Sequence, residues 1–148
     1  MGELLDLLKS DGFRRHTAMF VGTYQFADVA QWLRGFEYAL TRAFPDQPSE
    51  IDGFREWLVV RLEGSGNLDW AGVLSEKFGD GEQTTRKLFE HLDQFLADVA
   101  TRGLSAILQE HKEYEVRRYG TAFTSRLAEH RRTRPSPARD DANTIRRA

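Results

Sequence analysis

From Gln25 to Phe44, apolar residues recur at Phe26, Val29, Leu33, Phe36, Leu40 and Phe44, spacings of three and four that predict one continuous helical face. Pro45 ends the run, because proline disfavours helical backbone in the residue before it, and the stretch through Ser49 reads as a loop. Ser49 to Asp52 then resembles a capping box with Asp in the place of the usual Glu or Gln. Ile51, Phe54, Leu58 and Leu62 form the next helical stripe. The Gly64-Ser-Gly66 break separates it from a helix with Asn67 as the expected N-cap, carrying Leu68, Ala71, Val73, Leu74 and Phe78 inward. After Gly79-Asp-Gly81, a long helix is predicted over 82–102, with Leu88, Leu92, Phe95, Leu96 and Val99 inward and Gly103 at the left-handed C-cap position.

At the start of the chain, Leu4, Leu5, Leu7 and Leu8 give a short helix that ends near Asp11-Gly12 and caps the core. Thr17-Ala-Met-Phe-Val-Gly22 is β-permissive and predicts an extended segment or a lone strand. At the other end, residues 104–130 read as helix, with an apolar stripe that thins after Leu108. Glu110-His-Lys-Glu-Tyr-Glu115 is polar almost all round, so that half is expected to project from the core or to pack on a second copy. Beyond it, Pro135, Pro137, the dense charge and the lack of large apolar residues apart from Ile145 predict a disordered tail. The expected fold is therefore all-α: a single-domain bundle of five or six helices over 1–130, followed by a flexible, Arg-rich tail over 131–148.

Composition narrows the chemistry. The chain has no cysteine, which removes disulfides, thiolate nucleophiles and Cys-based zinc sites, and it fits a reducing cytoplasm. No apolar run approaches the ~20 residues of a membrane span, and no cationic segment followed by an apolar block marks a secretory leader. His16, His91, His111 and His130 form neither His-Glu-x-x-His nor Glu-x-x-His, so neither a metal nor a cofactor is expected. Ser65 lies in Glu63-Gly-Ser-Gly-Asn67, which lacks the outer glycine of a nucleophile elbow and the strand that such an elbow follows. There is no phosphate-cradling Gly-x-x-x-x-Gly-Lys-Ser/Thr, and a non-catalytic role is the reading that remains.

Charge is unevenly distributed. The formal net charge of -2 combines a surplus of -6 in residues 46–82 with +4 in residues 131–148. A segregated acidic surface steers cationic partners and repels phosphate backbones. Asp52, Glu56, Glu63, Asp69 and Glu76 are the candidate contacts for a basic partner protein, with Trp57 and Trp70 as candidate aromatic hot spots. The competing reading of those two tryptophans, together with Trp32, is core filling at the junction of three helices. Arg131, Arg132, Arg134, Arg146 and Arg147 form a possible nucleic-acid contact confined to the tail, and the 104–130 helix a possible self-association surface.

One pattern extends over residues 20–96: Phe54-x-x-Trp57, then Asn67-x-x-Trp70 with Val73-Leu74, then Gly79-Asp-Gly-Glu82, then Leu88-Phe-x-x-Leu92-Asp-x-Phe95. It resembles a group of small helical bacterial proteins, mostly uncharacterised, some of which are associated with immunity proteins that neutralise polymorphic toxins. That resemblance implies stoichiometric binding, in which an acidic surface covers the basic active site of a toxin. It carries over no catalytic residue.

Overall fold

The computed structural model describes residues 2–120, and among them there are eight helices and no strand. They are α1 Glu3–Lys9, α2 Asp11–Arg15, α3 Thr17–Val21, α4 Phe26–Ala43, α5 Phe54–Leu62, α6 Trp70–Phe78, α7 Glu82–Arg102 and α8 Leu104–Tyr119. The all-α expectation holds, but the helix count exceeds five or six because the N-terminal segment folds as three short helices. Ser10 divides α1 from α2: its backbone is extended and its hydroxyl accepts the Phe13 N–H at 3.0 Å, starting a new helix where one helix was expected to fade. The segment expected to be extended is instead α3. Its Thr17 is buried and donates its hydroxyl back to the Phe13 carbonyl at 2.8 Å, and Gly22, at φ 91°, closes it. Long-range burial has overridden the local β preference of Thr17, Phe20 and Val21.

Two other local expectations shift by a few residues. Ser49 and Asp52 form no capping box. The Ser49 hydroxyl donates to Glu37 Oε1 at 2.6 Å on α4, and the N-cap of α5 is Gly53, at φ 84° and buried where a Cβ would run into Leu104. Asp69 rather than Asn67 caps α6, accepting the Gly72 N–H at 2.8 Å. At the far end α8 runs to Tyr119, with Gly120 at φ 78°, and the remainder of the helix expected to 130 lies outside the described residues.

The core lies where α6 and α7 pack against both α4 and α5. Phe54 is at its centre, with ring centroids 5.3 Å from Phe95, 6.4 Å from Trp57 and 6.5 Å from Trp70. α4 contributes Phe26, Val29, Ala30 and Leu33, and α7 contributes Leu88, Leu92 and Phe95, the positions their stripes predict. The α4 stripe loosens toward its C-terminus: Phe36 and Leu40 are half-buried and Phe44 is exposed. α1 lays Leu4 and Leu8 on this core, so the N-terminal leucines do cap it. Each fully buried Leu or Phe contributes about 1.5–3 kcal/mol by leaving water, so the interior has ample driving force without covalent staples.

The chain divides into two compact units, Met1–Tyr114 and Glu115–Ala148. Within the first, α8 buries Ile107 and His111 and packs Tyr114 on the core, so its polar half is only partly solvated. The expected boundary at 130, the tail over 131–148 and its arginines lie outside the described residues.

Candidate functional site

The two tryptophans proposed as hot spots are in the core. Trp57 is 3% exposed and Trp70 is 8%, so neither offers a ring to a partner; the filling role at a helix junction is the one they perform. Trp57 has one polar outlet: its indole N–H donates to Asp98 Oδ2 at 2.8 Å. Asp98 also receives Arg61 at 3.0 Å and Arg102 at 3.0 Å, and the Trp57 hydrogen bond, with the two guanidiniums, holds its carboxyl below the usual range. Arg102 continues the chain of charge to Glu110 on α8 at 2.5 Å. This network ties α5, α7 and α8 together, and its role is architectural.

The acidic residues sort differently. Asp69 is gripped from α4 by Arg34, Nε to Oδ2 at 2.7 Å and Nη2 to Oδ1 at 2.8 Å, while also capping α6. Glu56 pairs with its neighbour Arg55 at 3.1 Å and is half-buried. Glu76 accepts the Ser65 hydroxyl at 3.0 Å and the Ser65 N–H at 3.3 Å. Asp80 accepts the Ser75 hydroxyl, Glu50 accepts the Leu5 N–H at 2.8 Å, and Glu82 takes Arg86 at 2.6 Å. Asp52 and Glu63 are exposed. Glu56, Asp69 and Glu82 are thus met by arginines, whereas the bonds at Glu50, Glu76 and Asp80 come from neutral donors. Arginines thus offset part of the surplus read from the sequence.

These contacts converge on the connection between α5 and α6, residues 63–69. Arg55 reaches along it, donating Nε to the Leu68 carbonyl at 2.6 Å and Nη2 to the Gly66 carbonyl. Gly64 is buried, where a Cβ would come 2.8 Å from Val73 Cγ1, so the backbone lies directly on α6. Ser65 is held by Glu76 and Asp69 by Arg34. The result is a rigid loop with an acidic rim of Glu63, Glu76 and Asp69. Glu63 adopts φ 52°, ψ 39° at the C-cap of α5, and it is the only non-glycine residue with positive φ among the described residues. A side chain there costs about 1–2 kcal/mol over glycine, which is the residue that helix ends of this shape favour.

Sequence reasoning selected five of these carboxylates but missed the arginines that fix them. Arg34 is 35 residues from Asp69, and no local pattern links them. It also missed a cleft of about 380 Å³ lined by Arg14, Arg15, Tyr24 and Arg86. Among the described residues, no group of three or more His, Asp or Glu is placed to hold a metal ion, and no helix is long and apolar enough to cross a membrane. Comparison with known proteins gives no match to a family model, to a curated protein or to a solved structure.

Proposed function

We propose that this chain is a non-catalytic protein-binding module of the immunity or antitoxin kind, which covers a basic surface of its partner with the acidic rim of the 63–69 loop. The observation that carries the reading is Glu63: a glutamate occupies a strained position that glycine fills at lower cost, on a loop already fixed by Arg55, Arg34 and Glu76. A preorganised loop loses little freedom on binding, and carboxylates exposed on it raise the encounter rate with a cationic partner. The net -6 of residues 46–82 supports the same partner chemistry.

Asp69, Glu56 and Glu76 hold the loop together, so reversing them would test folding and binding at once. The informative substitutions are Glu63→Lys and Asp52→Lys, both at exposed positions. Affinity capture from the native cell extract with the parent chain should return a basic protein in near-equal amount, weakened by salt, and the double variant should lose it. Recovery of the same proteins by both forms, with the same salt dependence, would sink this function.

A further inference from the structure

A second surface, remote in chemistry from the acidic loop, carries a separate inference. α2, α3, the turn before α4 and the first two turns of α7 enclose the cleft of about 380 Å³, within the range of ligand-binding clefts. Arg14, Arg15 and Arg86 converge on it, and the carboxylates that meet them are Asp93, Asp11 and Glu82. Arg14 is fixed: its Nε donates to the Leu8 carbonyl at 2.5 Å, two further nitrogens reach Asp93 at 2.7 Å each, and its guanidinium lies 5.2 Å from the centre of the Phe89 ring. Arg15 and Arg86 face solvent and are held only within their own helices, at 3.7 Å to Asp11 and 2.6 Å to Glu82. Exposed pairs of that kind contribute about 0–1 kcal/mol, so an incoming carboxylate exchanges with them at little cost.

Beside these cations, α3 turns apolar side chains outward. Met19 is 82% exposed and Phe20 is 51%, and Tyr24 on the cleft wall is also exposed. Phe20 is not loose, since its ring lies 5.3 Å from Phe13, which in turn meets Phe89 of the cleft edge-on at 6.1 Å. Exposed Met, Phe and Tyr interspersed with Arg is the residue mixture that interface cores favour.

We infer that this corner docks an acidic peptide segment of another protein, its carboxylates on Arg15 and Arg86 and an apolar side chain against Met19 and Phe20. The placement of the two exchangeable guanidiniums selects that occupant over a compact phosphate. The floor hydroxyls are spent, Thr17 on the Phe13 carbonyl and Thr85 on the Tyr24 carbonyl at 2.9 Å, and Glu82 opposes a concentrated dianion. Two separated guanidiniums beside an apolar ridge match carboxylates spaced along a chain.

The test uses the full chain and a synthetic peptide of about four helical turns, rich in Asp and Glu, with Leu and Phe at intervals of three and four. Titration followed by backbone amide resonances should saturate, with shifts confined to residues 14–24 and 82–89. Arg15→Gln with Arg86→Gln should weaken binding about tenfold or more, as should Phe20→Ser, whereas Glu63→Lys should leave it unchanged. The last variant separates this surface from the acidic loop, so either proposal fails without the other. Equal binding of a Lys-rich peptide with the same apolar spacing would overturn the inference, as would tighter binding of inorganic phosphate. So would concentration-dependent self-association that removes the peptide response and is abolished by Glu63→Lys, because the occupant would then be a second copy.

Discussion

The loop joining α5 to α6 and the corner at α3 are both surface features, but they are built on opposite terms. The loop exposes charge and hides its backbone: Arg55 satisfies the carbonyls of Gly66 and Leu68, Glu76 takes the Ser65 N–H, and Asp69 caps the following helix. The corner exposes apolar side chains, with Met19 and Phe20 on a helix of five residues that has no side-chain cap. Charge on a surface costs little and is screened by salt, whereas exposed Phe and Met forgo the transfer free energy that burial would return. The loop is therefore stable as it stands, and the corner stands to gain from being covered.

Substitutions can sharpen that difference or erase it. The largest effect belongs to the shared support: Phe54→Ala should cost about 3–5 kcal/mol in urea unfolding and loosen loop and corner together, since its ring meets Trp57, Trp70 and Phe95. Arg55→Ala should cost about 1.5–3 kcal/mol by leaving the Gly66 and Leu68 carbonyls without their charged donor. Amide exchange should then quicken across 64–68 and not across α1 to α3; acceleration in both would refute the independence of the two regions.

Smaller effects separate the regions further. Glu63→Gly should stabilise the fold by about 1 kcal/mol in thermal unfolding while weakening the captured partner, an exchange of binding for stability located at one residue. The corner supplies the smallest effect. The hydrogen bond from Arg14 holds the Asp93 carboxyl below its usual range, so the stabilisation it brings is complete above the unfolded carboxylate value. It fades as pH falls through the lower, folded one. The pair is partly solvated, and Asp93→Asn should remove on the order of 0.5 kcal/mol at neutral pH and flatten the acid limb of the stability profile. An unchanged acid limb would mean that Arg14 is held by the Leu8 carbonyl alone.

The parts of this molecule that were legible in its sequence are those with several turns of repeated pattern. The stripe of α4 and that of α7 place Phe26, Val29, Leu33, Leu88, Leu92 and Phe95 in the core as their spacing requires. α3 was not legible, because five residues carry barely one turn of period and Thr, Phe and Val read locally as strand. Its helix depends on burial of Thr17 against residues fixed elsewhere. The N-cap of α6 was ambiguous for a related reason: Asn67 and Asp69 are both good caps two residues apart, and the Arg34 contact goes with the second. The site itself was half legible. The carboxylates were visible as a count of charge, but Arg14 to Asp93 and Trp57 to Asp98 join residues 79 and 41 positions apart, and only folding relates them.

The three indoles sit in unlike surroundings, and this gives the protein its own optical reporters. Trp57 and Trp70 lie in the core, and their emission should move to longer wavelength only when the bundle opens. Trp32 is half-buried, stacked between Phe13 at 5.7 Å and Phe36 at 5.6 Å, and Phe13 in turn touches Phe20 of the corner. A molecule settling on the corner should therefore alter the colour of one lamp while the other two stay constant.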